Sequence, residues 1–166
     1  PNVNLSNLGK ISVFNEYFGR GLSSIVFQEI RESKSLAYSA YVSYASSGEL
    51  NHPDYVTTYI GTQANKLPQA VTAMDELMAN LPQIPAQFNN AKNAALKQIA
   101  SGRINRTNIY FNQLNLKKLG VDYDLRKDIY KEVEKLSLAD LTNFYDSQMK
   151  PLKYNTAIIG KKENLN

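Results

Sequence analysis

Arg31 and Tyr38 are the side chains whose types and spacing could do chemistry, seven residues apart in YFGRGLSSIVFQEIRESKSLAYSAYVSY, residues 17–44. An arginine presents a planar fork of donors to a carbonyl or carboxylate, and a tyrosine hydroxyl can donate to an oxygen on which charge develops. Gly19 and Gly21 break the chain before Ser23 or Ser24, either of which can cap a short helix. That helix places Ile25, Val26 and Ile30 near one face and leaves Gln28, Arg31 and Glu32 more exposed. From Leu36 the period changes to two, so Tyr38, Ala40, Val42 and Tyr44 share one face of a strand and Ser39, Tyr41 and Ser43 the other. Arg31 and Tyr38 can thus converge on one rim of a sheet. Residue types alone favour a plainer reading, with Arg31 in an ion pair near its helix end and Tyr38 packed on the sheet.

Other chemistries are excluded or weak. His52 is the one histidine of 166 residues and there is no cysteine, so a His-rich zinc site, a disulfide and thiolate chemistry cannot be built within the chain. The inverted zinc motif His-x-x-Glu-His is absent. A Ser-His-Asp arrangement would need His52, which sits beside Pro53 in a polar turn and reads as a surface residue. Gly19-x-Gly21 lacks the third glycine, the preceding strand and the lysine of a phosphate loop. Asn105-Arg106-Thr107 matches a glycosylation sequon, but Thr107 as a helix cap explains it better. The net charge of +4, from 19 basic and 15 acidic residues, is dispersed; it suits a solvated surface rather than nucleic acid. No apolar run approaches the roughly 18 residues of a membrane span, and no signal peptide is visible.

The elements follow from periodicity. Leu8, Ile11, Phe14 and Phe18 predict a helix before the central stretch, capped at Ser6 or Asn7 and stopped at Gly19. Residues 46–54 form a turn-rich connection, and 55–61 read as a second strand, antiparallel to the first. Asn65 is expected to cap a helix carrying Leu67, Ala70, Val71, Met74, Leu77 and Met78, with the methionines as core fillers. Further helices are expected over 86–101, over 108–119 with Thr107 as cap and Gly120 as stop, and over 125–133. A last helix opens on the capping box Ser137–Asp140 and runs to the breaker Pro151. Residues 154–160 alternate as a closing strand. Early strands, a helical middle and a closing strand argue for one α+β domain over 1–166, with helices on one face of an antiparallel or mixed sheet.

Phe18-Gly19-Arg20-Gly21-Leu22-Ser23-Ser24, the helix to Arg31-Glu32, and Lys34-Ser35-Leu36-Ala37-Tyr38-Ser39 together carry a resemblance. The chain resembles the non-zinc-binding domain of the pitrilysin, insulin-degrading-enzyme and mitochondrial-processing-peptidase family. That pattern has a glycine-rich turn, a small-residue pair, a helix ending in Leu-Arg or Ile-Arg, and Gly-Leu-Ala-Tyr opening a strand. Ser35 stands where the family has glycine, and Ile25-Val26 replace an Arg-Leu pair. The Arg31-to-Tyr38 spacing is kept.

The resemblance implies the fold of a metallopeptidase half, two-layered, with further strands, at least one of them before the helix at Leu8. A chain starting at Pro1 is expected to be an excised C-terminal inactive domain, lacking that strand or keeping a remnant at 3–5. The bared sheet edge would be a route to a homodimer. It further implies no catalytic residue and no cofactor in this chain. Zinc belongs to a partner domain, on the same chain or another subunit, of a zinc metalloendopeptidase. By motif, Arg31 and Tyr38 contact the backbone of a peptide substrate, and this domain closes the chamber. Tyr41, Tyr44, Tyr55 and Tyr59 suit either a sheet face meeting an extended peptide or ordinary cross-strand packing. A bacterial periplasm or cell envelope is the expected location. The alternative is a structural or interaction domain of an inactive relative.

Overall fold

The computed structural model of the chain describes residues 4–102 and 104–161. A 3₁₀ turn, Leu5–Asn7, leads into α1 (Leu8–Phe14), which widens into a π-helix over Asn15–Gly19. A second π-helix, Phe27–Ser33, precedes β1 (Ser39–Ala45) and β2 (Tyr55–Gly61). Five helices follow: α2 (Leu67–Ala79), α3 (Pro85–Ser101), α4 (Ile109–Lys118), α5 (Arg126–Lys135) and α6 (Leu138–Gln148). The architecture is α+β, with a two-stranded antiparallel sheet among the described residues.

The sheet has a wet face and a dry one. Tyr41 pairs with Tyr59, Val42 with Thr58 and Tyr44 with Val56. Ala40, Val42 and Tyr44 are buried against the helices, whereas the Tyr41 and Tyr59 rings stack in solvent with centroids 5.2 Å apart. On the dry side, Phe14 stacks on Phe18 at 5.4 Å, Tyr145 lies 6.1 Å from each, and Tyr44 meets Phe144 at 5.6 Å. The buried tyrosine hydroxyls all find partners. Tyr17 donates to the Pro82 carbonyl at 2.6 Å and accepts from the Ile84 N–H at 2.9 Å, holding the linker between α2 and α3. Tyr145 donates to the Met78 carbonyl. Burial, with Asp146 nearby, pushes its hydroxyl up to about 12.

The first helical arm docks end-on against β1. Asn15 donates through Nδ2 to the Tyr44 carbonyl and accepts from the Tyr44 N–H, both at 2.9 Å, so one side chain mimics a neighbouring strand. Arg20 donates to the Ser43 hydroxyl. Gly19 permits the approach: a Cβ there would fall on the Val42 carbonyl oxygen and lie 2.8 Å from its carbon. At the other end of α1 the Gly9 N–H donates to Glu132 Oε2 at 3.0 Å, and Lys10 Nζ stands 3.8 Å from Oε1. Burial raises the Glu132 carboxyl above its usual range against the pull of these two partners.

Several expectations hold and others need correction. The capping box is present, with Ser137 Oγ accepting from the Asp140 N–H and Asp140 accepting from the Ser137 N–H. Ser24, not Ser23, serves the helix before β1: its Oγ accepts from the Phe27 N–H at 3.4 Å. Neither Asn65 nor Thr107 caps with its side chain, because each lies within a 3₁₀ turn that leads directly into the next helix. The closing strand over 154–160 does not form among the described residues; these residues are exposed, and no described strand lies beside them to complete a ladder. Of the strand remnant at 3–5, residue 3 lies outside the described residues, and Leu5 belongs to the 3₁₀ turn.

Gly19→Ala is expected to cost about 3 kcal/mol in urea unfolding, because backbone rather than a mobile side chain would have to move. Gly48→Ala, which meets open space at φ +74°, is expected to cost only about 1 kcal/mol. A similar loss in both would separate the cost from the β1 contact. Glu132→Gln keeps an acceptor for Gly9 but has no charge to bury. A carboxyl raised in the fold stabilises most when protonated, and that contribution fades as pH rises through its folded value. Urea midpoints of variant minus wild type should therefore grow between about pH 4 and pH 7. A flat difference would contradict the buried-charge account.

Candidate functional site

The junction between the π-helix Phe27–Ser33 and β1 positions both residues singled out above. The helix closes with bonds from the Lys34 N–H to Glu29, from Ser35 to Arg31 and from Leu36 to Ile30, at 3.1, 3.1 and 2.9 Å. Ser35 makes the reversal possible with φ +49°, a left-handed conformation that glycine adopts without strain. This accounts for the glycine of the resembled pattern at that position. From Ser35 the chain enters the sheet, and the Tyr38 N–H donates to the Gly61 carbonyl at 2.8 Å.

Arg31 is exposed on the last turn of the helix. Its Nε lies 3.7 Å from Glu32 Oε1, and its guanidinium carbon sits 4.7 Å from the centre of the Phe27 ring. The ion pair is exposed and adds little stability, and the ring offers the guanidinium a cation–π contact. Among the described residues, the remaining guanidinium donors bond to no protein acceptor. Tyr38 was expected on the buried face with Ala40, Val42 and Tyr44. It is instead 68% exposed, because the sheet ends at the Ser39–Gly61 pair and nothing lies beyond to cover the ring. Its oxygen accepts from Gln63 Nε2 at 2.7 Å. No hydrogen bond joins Arg31 to Tyr38 among the described residues; the two stand separately, one on each side of the Ser35 turn.

A feature that the sequence did not signal braces this turn. Thr62 Oγ1 donates to the Leu36 carbonyl, and Lys66 Nζ donates to the Ser35 carbonyl at 2.9 Å. With Gln63, three residues just past β2 thus grip the segment between Arg31 and Tyr38. Their residue types are ordinary for a polar loop, and only the hairpin register brings them to the turn.

The other charged groups make no comparable site. His52 is exposed, with Nδ1 3.7 Å from Glu49 Oε2. Lys118 bonds to Glu49 at 2.6 Å and holds its carboxyl below the usual range. Among the described residues no group of three His, Cys, Asp or Glu side chains could hold a metal ion. An open groove of about 530 Å³ runs beside Lys10, Asp128, Glu132 and Lys135, with Leu125 and Ile129 in its lining. Neither Arg31 nor Tyr38 borders it. No helix among the described residues is long and apolar enough to cross a membrane.

Residues 1–95 match the model of the peptidase M16 inactive domain, a stretch that includes the docking arm, the Ser35 turn and both strands. The chain belongs to that family. It is also 45% identical over 69 residues to an uncharacterized zinc protease of Bacillus subtilis (strain 168), YmxG. That alignment covers 42% of this chain and 16% of the relative. A peptidase M16 inactive domain is a non-catalytic one, in keeping with the absence of the inverted zinc motif and with a single surface histidine.

Ser35→Gly is expected to stabilise the domain by about 0.5–1 kcal/mol by relieving the left-handed residue. Ser35→Val, whose branched side chain resists positive φ, should destabilise it by more than about 1 kcal/mol. Thermal or urea unfolding of the pair checks this. Equal stability of all three proteins would mean that the turn is not held at positive φ.

Proposed function

We propose that this domain is the substrate-binding, non-catalytic half of a pitrilysin-like zinc metalloendopeptidase, closing a peptide chamber over a zinc-bearing half carried elsewhere. The reading is supported above all by the exposed pair Arg31 and Tyr38, held on either side of one braced turn with hydrogen-bond donors unused. Membership of the inactive-domain family and identity to a zinc protease support it as well. Zinc, when bound to the other half, supplies Lewis-acid polarisation and an activated water. The part proposed for this chain is to bind and orient. Arg31 turns its fork towards a peptide carbonyl, and Tyr38 donates its O–H to a carbonyl oxygen near the scissile bond. Stacked Tyr41 and Tyr59, with the outer edge of β2 unpaired among the described residues, offer a sheet on which an extended peptide can lie.

A second reading, a structural domain of an inactive relative, is favoured by one observation. Arg31 already has partners in Glu32 and Phe27, as a purely structural arginine would.

Peptide hydrolysis by the full-length protein carrying this domain separates the two. Arg31→Ala and Tyr38→Phe are each expected to lower kcat/KM on the order of 10²-fold, about 2.7 kcal/mol, with folding and zinc content unchanged. Wild-type rates in both variants would sink the substrate-binding role. A wild type that binds no zinc and cleaves nothing would favour the structural reading.

A further inference from the structure

The bond from Gln63 to Tyr38 has a direction, and the direction has a consequence. A phenolic oxygen can accept and donate at once. Here Gln63 Nε2 donates to it at 2.7 Å, which fills an acceptor position, and among the described residues the Tyr38 O–H donates to no protein acceptor. The hydroxyl proton is therefore left for something outside the domain. Were the residue facing Tyr38 an acceptor, the phenol would turn its proton inward. Gln63 is itself placed by its neighbours, since Thr62 is bonded to Leu36 and Lys66 to Ser35 on the same turn. The brace ties the loop after β2 to the segment that carries Tyr38, so their relative positions are fixed before any ligand arrives.

We propose that Gln63 is a positioning residue that, by donating to the Tyr38 oxygen, holds the ring in place and directs its O–H outward to a peptide carbonyl. This rests on the substrate-binding reading above. Gln63 touches no substrate in this account; it acts through Tyr38. The role predicts an ordering that loss of packing does not. Gln63→Glu is nearly isosteric but can only accept, so it draws the Tyr38 proton inward. Gln63→Lys is less alike in shape but can only donate, so it preserves the outward proton.

Two measurements test it. In the 166-residue chain, the side-chain amide proton resonance of Gln63 should shift when Tyr38 is replaced by Phe, which removes the acceptor. In the full-length protein, peptide hydrolysis should fall roughly 10-fold in kcat/KM for Gln63→Glu and stay within about 3-fold of wild type for Gln63→Lys. Adding Gln63→Glu to Tyr38→Phe should bring little further loss, because both act on the same hydroxyl. An unmoved amide resonance overturns the inference whatever the kinetics. So does a Gln63→Glu variant as active as wild type beside an impaired Tyr38→Phe, or a Gln63→Lys variant at least as impaired as Gln63→Glu; the substrate-binding reading survives all three. Full activity of both Tyr38→Phe and Arg31→Ala instead overturns that reading, and the positioning role falls with it.

Discussion

The close approach of the first helical arm to β1 is the constraint on which the rest of the structure depends. An edge strand exposes backbone donors and acceptors that must be covered or paired. Here the Asn15 amide supplies both a donor and an acceptor to Tyr44, and the missing side chain at Gly19 lets the helix backbone reach the Val42 carbonyl. No other residue type satisfies the second contact. Both residues lie in the π-helical stretch that continues α1, and both face the strand. With the arm anchored, Phe14 and Phe18 meet Tyr145 and the core closes around them.

Position then passes from core to rim. β1 is held on one side by the arm and on the other by β2, so its first residues are fixed in register even where they leave the sheet. The Ser35 turn must reverse the chain within a few residues, and it does so at the cost of a left-handed serine. A strained residue persists only where its surroundings over-determine it. Lys66 and Thr62 supply that determination by bonding the carbonyls of Ser35 and Leu36. With the turn fixed from behind, the backbones that carry Arg31 and Tyr38 are held without either side chain serving as anchorage.

Much of this was legible in the sequence, for physical reasons. Helices with a clear apolar stripe appear where expected, because burial of Ile11, Phe14 and Phe18 or of Leu141, Phe144 and Tyr145 dictates both the element and its face. The antiparallel hairpin follows from alternation on each side of a turn-rich loop. The capping box at Ser137 and Asp140 is a local device and is read locally. Expectations fail where a neighbour rather than the segment decides. Asn65 and Thr107 have cap-forming side chains, yet the chain enters each helix through a 3₁₀ turn that leaves them no role. Residues 154–160 alternate well, but a strand exists only where another strand accepts its ladder, and no described strand lies beside them. Tyr38 has the parity of a buried residue, and the end of the sheet makes it a surface one.

The same distinction separates two parts of the candidate site. Arg31 and Tyr38 are visible in the sequence because the resembled pattern keeps both at this spacing, which spans a change of period. The brace behind them is invisible, since Thr62, Gln63 and Lys66 are common loop residues whose partners lie 26, 25 and 31 positions earlier. Long-range pairing of this kind is set by hairpin register alone, and a slip of one residue would carry all three away from the turn. Function at the rim therefore depends on the fold through the hairpin. The dock of Asn15 and Gly19 fixes β1, β1 fixes the register of β2, and β2 delivers the side chains that hold the turn. A change at Gly19, remote from both candidate residues, would loosen Arg31 and Tyr38 by this route even though it touches neither.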